Sequence, residues 1–203
     1  MFRIQSLLPE TPLERLRPTQ MTVGFKEVES KSKSWAKLDA KARRQAIAQQ
    51  LFPAVKGPGK AFYLLDHHHT ALALVQEKVE SVQVGLVRDL SDLSVQAFWI
   101  YLDHYSWVHA YDRRGRRQPF SDMPARLQDV KDDPYRSLAA QVREAGGFAK
   151  PDEPFLEFLW ANCFRDAIPV RRLEKDPKAA FKEALALARS DQTSHLPGWA
   201  ARK

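Results

Sequence analysis

The residues with the most chemical potential stand side by side at positions 66–70, where the sequence is Asp-His-His-His-Thr. The apolar run 62–65 before them is typical of a strand buried on both faces. Apolar residues then recur at helical spacing to about Val79, which predicts a helix that begins at His67. We expect Asp66 to cap this helix, so that polar chemistry is concentrated in its first turn.

The first turn of a helix favours a bound anion. Its backbone N–H groups lack partners within the helix and lie at the positive end of the helix dipole, so a phosphate fits there. Consecutive side chains stand about 100° apart, so His67, His68 and His69 cannot all reach one ligand. A neutral imidazole there could bind phosphate, hold a metal ion or act as a base near pH 7. Alternatively, Asp66 is only a cap and the histidines are surface or core groups.

A second polar segment occupies residues 16–20, with the sequence Leu-Arg-Pro-Thr-Gln. Pro18 favours extended backbone at Arg17 and suits the first turn of a helix. We therefore expect Thr19 and Gln20 to lie at a strand-to-helix corner that faces a site. The alternative is a purely structural corner with Arg17 in solvent.

The elements around these segments indicate an α/β core. Residues 39–52 predict a helix that Pro53 terminates, and the lysine- and serine-rich patch 31–34 predicts a flexible loop. Residues 82–87 predict a second strand. We expect this strand to lie parallel to the strand at 62–65, because a helix connects the two.

From about Ser91 onward the pattern predicts long helices. In one of them, Asp133 caps the start and Gly146 ends the helix. Arg136 and Arg143 are seven residues apart and share a face, so they could present two guanidinium groups to an anion. The alternative is that both arginines pair with nearby carboxylates.

A turn between the helices carries four arginines, which are Arg113, Arg114, Arg116 and Arg117. This turn is either solvated or in contact with a nucleic-acid backbone, and such a contact would make binding sensitive to salt. The formal net charge of +7 permits attraction to nucleic acid, nucleotides or other anions but does not separate them.

Composition narrows the cellular setting. The chain has 203 residues, of which 44% are hydrophobic, as is ordinary for a globular protein. The single cysteine, Cys163, excludes an internal disulfide and fits a reducing compartment. No apolar run of membrane-spanning length is present, so we expect a cytoplasmic protein without a membrane partner.

Three separated segments, 16–20, 66–70 and 133–138, resemble the ParB-like putative nuclease family of the ParB/sulfiredoxin superfamily. Two positions depart from the family pattern, because His67 stands where Gly is usual and Thr70 stands where Arg is usual. The resemblance also makes Glu27 and Glu29 candidates for an acid or a base, although both also fit ordinary surface carboxylates.

The resemblance implies an α/β (α+β) fold with a small mixed sheet and helices. We expect a ParB/sulfiredoxin-like core at residues 1–90 and a mainly helical region at 91–203, either packed on the core or continuous with it. The missing arginine at Thr70 removes the family's strongest phosphate clamp.

The resemblance favours an enzyme that acts on a phosphate group, as an NTPase, a phosphotransferase or a nuclease. Asp66, His68 and His69 would be catalytic, and Asp66 would also hold Mg²⁺ or another divalent metal. Ligand phosphate would be bound by a larger set, which comprises Arg17, Thr19, Gln20, His67, Thr70, Arg136 and Arg143. The alternatives are a non-catalytic nucleotide- or DNA-binding module and a degenerate family member that keeps only the fold.

Overall fold

The computed structural model describes residues 2–150 and 154–199. Within these ranges the strands are β1 (Ser6–Pro12), β2 (Leu16–Pro18), β3 (Thr22–Val23), β4 (Leu51–Lys56), β5 (Phe62–Leu64), β6 (Ser81–Asp89) and β7 (Lys131–Asp132). The helices are α1 (Phe25–Ala36), α2 (Ala40–Gln49), α3 (His68–Gln76), α4 (Val95–His104), α5 (Pro134–Glu144), α6 (Glu157–Ala167), α7 (Val170–Lys175) and α8 (Pro177–Ala188).

Five strands form one mixed sheet in the order β1-β6-β4-β5-β2. β4 pairs parallel to β6 and antiparallel to β5, while β2 pairs parallel to β5. The expected parallel pair on either side of α3 is therefore wrong, because β5 and β6 run in opposite directions with β4 between them. A tight turn at Pro58–Lys60 folds β5 back along β4, so β4 supplies the parallel partner of β6.

Apolar side chains cover both faces of this sheet. On one face, Phe52, Leu64 and Leu74 pack between the sheet and α3. On the other face, Tyr63 and Phe98 join β5 to α4, with their ring centroids 4.5 Å apart. Burial on both faces explains why the apolar run at β5 predicted a strand correctly.

The helices from α5 onward have a core of their own. Its centre is Trp160, which stacks on Phe148 with ring centroids 4.2 Å apart. The expected cap at Asp133 is confirmed, since its side chain accepts hydrogen bonds from the first turn of α5, and Asp176 accepts one from α8 in the same way. Gly146 follows α5 with a left-handed φ of 70°, as expected for a helix stop.

Two boundaries differ from expectation. α2 ends at Gln49, and Pro53 lies inside β4, where its carbonyl accepts a hydrogen bond from Leu65 N at 2.8 Å. Burial of Phe52 outweighs the missing donor at Pro53. The expected loop at 31–34 is part of α1, because Val28 and Trp35, seven residues apart, form the inward stripe of one continuous helix.

The segment after β2 is extended and does not start a helix. Pro18 ends β2, and β3 then pairs parallel to β7, so α1 begins only at Phe25. Backbone hydrogen bonds tie this segment to a later part of the chain, with His109 N donating to Thr19 O at 2.8 Å. These distant pairings override the helical preference of Pro18. None of the described helices is long and apolar enough to cross a membrane.

Gly24, the residue that caps α1, packs closely against Ser137 of α5. A Cβ at this position would lie 2.6 Å from Ser137 Oγ and 2.9 Å from Ser137 N. We expect Gly24→Ala to lower the free energy of unfolding by about 1–3 kcal/mol, because the two helices must separate. Chemical denaturation measures this loss. The exposed neighbour Lys26→Ala is the control, and an equal effect of both changes contradicts the packing argument.

Candidate functional site

A cleft of about 1200 Å³ lies where β5 ends and α3 begins. The whole 66–70 motif lines it. Its other walls come from the N-terminal segment, β6, the segment after α4, and the helices α1, α5 and α6. The strand-to-helix junction therefore lies open to a sizeable cleft.

Asp66 and His67 form the turn into α3. Asp66 Oδ1 accepts a hydrogen bond from His67 N at 2.6 Å, and His67 has left-handed backbone with a φ of 65°. The expectation that Asp66 caps the helix is wrong, because its carboxylate bonds the adjacent amide and His67 occupies the cap position. A left-handed backbone favours glycine, which gives a physical reason for the Gly that is usual here in the family.

His68 is buried and held in one tautomer. Its Nε2 accepts a hydrogen bond from Thr19 N at 3.1 Å, and the Thr19 hydroxyl donates to Leu64 O at 2.6 Å. Burial and the neighbouring histidines lower the pKa of His68 to about 3. A neutral ring that accepts at Nε2 carries its proton on Nδ1, and that atom has no partner among the described residues. His68 is therefore a buried acceptor for Thr19 N, and this arrangement does not favour its predicted role in moving protons.

His69 joins α3 to the start of α1. Its Nε2 lies 3.1 Å from Gly24 N and 3.1 Å from Glu27 Oε2. Burial lowers the pKa of His69, although contact with Glu27 raises it. The ring can accept from Gly24 or donate to Glu27, but no single tautomer does both at one nitrogen. His69 is thus engaged by protein groups on the side of α1.

A buried ion-pair network lies behind the histidines. Arg136 Nη1 is 3.1 Å from Glu27 Oε2, and Arg136 and Arg143 both pair with Glu157. Burial raises the pKa of Glu27, but the bond to His69 and the charge of Arg136 outweigh it, so the pKa of Glu27 is below its usual value. Two cations thus face two anions. The structure favours the alternative in which both arginines pair with carboxylates, so neither offers a free charge to a ligand.

Exposed lysines that have no ion pair among the described residues also line the cleft. Lys31 on α1 and Lys150 are exposed, line the cleft and are close enough to His67 to lower its pKa. Loss of solvation is the largest cause of that lowering, and Asp66 opposes it. Arg3 and Arg88 line another part of the same cleft. His67 is therefore exposed and neutral at pH 7, with Asp66 beside it and the two lysines nearby.

The remaining predicted site residues divide into two groups. Gln20 lines the cleft, and Thr70 is buried there in the first turn of α3. Arg17 does not line the cleft. Its side chain lies on the face of the sheet that carries Tyr63, and it donates a hydrogen bond to the Tyr63 hydroxyl at 3.3 Å. The arginine turn also lies outside the cleft, and its Arg117 pairs with Asp103 at 2.6 Å.

The predicted metal site has few protein ligands. Across the described ranges, no three His, Cys, Asp or Glu side chains cluster so that they could hold a metal ion. Asp66 Oδ2 has no described hydrogen-bond partner and lies beside the first turn of α3. The motif therefore offers one carboxylate to a cation.

A family model described as "Putative ParB-like nuclease" matches residues 10–166. The chain belongs to this ParB-like family. A solved structure, the crystal structure of protein Atu1540 from Agrobacterium tumefaciens, is 39% identical with a TM-score of 0.90. The similarity covers 98% of this chain and all of that one. No functionally curated protein matches the chain. The predicted family and fold class are confirmed.

Three important residues of this ParB-like site were not identified from the sequence. Glu157 follows Arg143 by 14 positions, a spacing that no local pattern connects. Lys31 belongs to the patch that was predicted to be a loop, so it was not placed on a helix, although the seven-residue spacing of Val28 and Trp35 indicates one. Lys150 reaches the cleft from an irregular segment, for which the sequence offered no signal.

The left-handed conformation of His67 strains the motif. We expect His67→Gly to raise the free energy of unfolding by about 1 kcal/mol, because glycine adopts this backbone without a steric cost. Lys78→Gly is the matched control, since Lys78 also has a left-handed φ, of 55°, but does not line the cleft. Denaturant unfolding compares the two variants. A loss of stability on His67→Gly would show that the ring itself stabilises the turn.

Two buried imidazoles should make the fold sensitive to acid. Burial lowers the pKa of His68 and of His109 to about 3. Between pH 6.5 and about 3 the unfolded chain binds protons that the folded chain does not, so the free energy of unfolding falls as pH falls. At pH 5 each imidazole lowers the free energy of unfolding by about 2 kcal/mol relative to its value at neutral pH.

We expect His109→Phe to remove about 2 kcal/mol of the stability difference between pH 7 and pH 5, because a phenyl ring keeps the stack on Phe158 without titrating. Denaturant unfolding at both pH values measures this difference in the free energy of unfolding. The exposed His104→Gln is the control and should leave the difference unchanged. A wild-type pH dependence in His109→Phe contradicts the account.

Proposed function

We propose that this ParB-like protein binds a phosphate group of a nucleotide or nucleic acid at the start of α3 and hydrolyses a phosphoester or phosphoanhydride bond. One observation carries the proposal. The backbone N–H groups of His68, His69 and Thr70 have no acceptor among the described residues and belong to a turn that lines the cleft beside Lys31 and Lys150. Unpaired amides, a helix dipole and two cations together favour an anion.

The proposal gives the cations of the rim the role that the sequence assigned to arginines. Lys31 and Lys150 are exposed and flexible point charges, which suit a phosphate that must enter and leave. Arg136 and Arg143 act indirectly, because their pairs with Glu27 and Glu157 fix the wall of the cleft. Thr70 stands where the family usually has an arginine. The two lysines supply the positive charge that this arginine would have provided.

His67 is the histidine best placed to take a proton. It is exposed and neutral, whereas His68 is buried and accepts a hydrogen bond from Thr19 N, and His69 is engaged by α1. In hydrolysis, His67 removes a proton from a water molecule whose oxygen forms a bond to phosphorus. The bond from phosphorus to the leaving oxygen breaks, and the proton passes from His67 to that oxygen.

A divalent cation fits this motif only in a hydrated form. Mg²⁺ keeps several waters and commonly takes one or two carboxylates together with substrate phosphates, so the single carboxylate of Asp66 is compatible with it. Such an ion would neutralise charge on the phosphate oxygens. Asp66 would hold it through Oδ2 while Oδ1 keeps the turn at His67 in place. A reducing, cytoplasmic setting suits the single cysteine of the chain.

A non-catalytic module is the second candidate. The observation that favours it is the engagement of His68 and His69 by protein groups, which leaves one free imidazole in the motif. In that case the same first turn binds the phosphate and His67 only donates to it. Binding alone therefore supports the site, and turnover decides between the candidates.

Binding is tested by thermal unfolding with inorganic phosphate, AMP, ADP, ATP and CTP, each with and without Mg²⁺. A ligand at about a hundred times its dissociation constant should add roughly 2.7 kcal/mol, which raises the midpoint by about 5–10 °C. We expect Lys31→Gln to weaken binding by about fivefold to tenfold, since it removes one charge from the site. Lys33→Gln is the matched control on the same helix, outside the cleft. Equal effects of both changes contradict the site.

Turnover is tested by the release of phosphate from the nucleotide that shifts the midpoint most. We expect His67→Gln to lower kcat by about 10²-fold to 10⁴-fold and to leave the midpoint shift unchanged, because the ring moves a proton without holding the phosphate. His104→Gln serves as the control. If the wild type binds a nucleotide but releases no phosphate, the protein is the non-catalytic module.

A further inference from the structure

The cleft extends well beyond the first turn of α3. Its volume of about 1200 Å³ exceeds the usual range of about 300–1,000 Å³ for small-molecule pockets. The far end is lined by Phe2, Arg3, Arg88, Tyr105 and Trp107, and the proposed phosphate site uses none of them. This end of the cleft we term the aromatic wall.

The aromatic wall presents partly exposed rings in a continuous row. Tyr105 is 50% exposed and stacks on Tyr101, with centroids 4.6 Å apart and planes at 21°. Trp107 lies 5.0 Å from Tyr105, and Phe2 meets the edge of Trp107 at 6.1 Å. Rings that are packed on one side and open on the other offer faces on which a planar group can stack.

The backbone holds these rings firmly. Gln5 N donates to Leu86 O at 2.7 Å, which fixes the N-terminal segment on β6. Tyr105 N donates to Tyr101 O, and Trp107 N donates to Leu102 O at 2.8 Å, which fixes the segment after α4. The wall is thus built on the sheet and on a helix end, as a preformed binding surface requires.

The charge beside the rings is positive. Arg3 and Arg88 are both exposed and line the cleft. Arg88 donates to the Tyr101 hydroxyl, and its guanidinium carbon lies 5.9 Å from the centre of that ring. Rings flanked by arginines match a ligand that alternates planar groups with negative charges. An apolar peptide matches the rings but leaves the arginines without partners.

We propose that the cleft binds single-stranded nucleic acid along its length. One phosphate lies at the first turn of α3, neighbouring bases stack on Tyr105 and Trp107, and Arg3 and Arg88 face the next phosphates. Unpaired bases are required, because the faces of paired bases are already stacked within a duplex. This inference rests on the proposed phosphate site and adds the class of ligand.

The test measures fluorescence anisotropy with a labelled oligothymidylate of twelve nucleotides. Competition by its unlabelled duplex, by thymidine monophosphate and by inorganic phosphate is measured with the full-length chain. We expect the single strand to bind at least tenfold more tightly than the duplex or the monophosphate. We expect Tyr105→Ala to weaken the binding of the single strand by about tenfold to a hundredfold. Tyr105→Phe keeps the ring and should bind as the wild type does.

Two further variants separate the wall from the phosphate site. Arg3→Gln should lower the salt dependence of oligonucleotide binding by the equivalent of about one phosphate contact. Ile100→Ala, an exposed α4 residue that does not line the cleft, should change nothing. Competition by thymidine monophosphate should be the same in Tyr105→Ala as in the wild type, because the phosphate site is intact.

Three outcomes overturn the inference. If the single strand binds no more tightly than the monophosphate, the aromatic wall takes no part, although the phosphate site stands. If the duplex binds as tightly as the single strand, unpaired bases are not recognised. If neither oligonucleotide nor monophosphate binds, both the wall and the proposed phosphate site are wrong.

Discussion

The carboxylate of Glu27 joins the three helices that surround the cleft. It contacts His69 on α3 and Arg136 on α5, both at 3.1 Å, while belonging to α1. Arg136 continues the network to Glu157 on α6. Removal of one partner from such a buried pair leaves an uncompensated charge and commonly costs about 3–5 kcal/mol. The relative positions of these helices therefore depend on a balance of charge that a ligand must not disturb.

This balance determines which groups can bind an anion. The buried arginines are already neutralised, so attraction must come from groups that the network leaves free. Beside the motif, those groups are the first amides of α3, which are positive without carrying a full charge, and the exposed lysines Lys31 and Lys150, which have no ion pair among the described residues. Rigidity and binding therefore come from different groups. The buried ion pairs hold the wall of the cleft in place, whereas the exposed lysines and the backbone amides of α3 would contact the ligand.

Local signals in the sequence predicted local structure well. Asp133 with its following proline specified the start of α5, and the apolar run before Asp66 specified β5. The order of the strands in the sheet could not be predicted from the sequence, because the pattern of one strand does not indicate which distant strand pairs with it. The same limit hid the network, since Glu27 and Arg136 are 109 residues apart. Resemblance identified the motif, but only the packing showed that its second histidine is buried and accepts a hydrogen bond from Thr19 N.

The most direct test of the phosphate site is the ¹H–¹⁵N spectrum of the isotopically labelled protein during titration with inorganic phosphate and then AMP. We expect the amide signals of His68, His69 and Thr70 to move downfield together and to saturate with one dissociation constant, because these N–H groups bind the anion. Lys33 and other residues outside the cleft should not move. Shifts confined to the arginine turn, with the three α3 amides unchanged, would contradict the account.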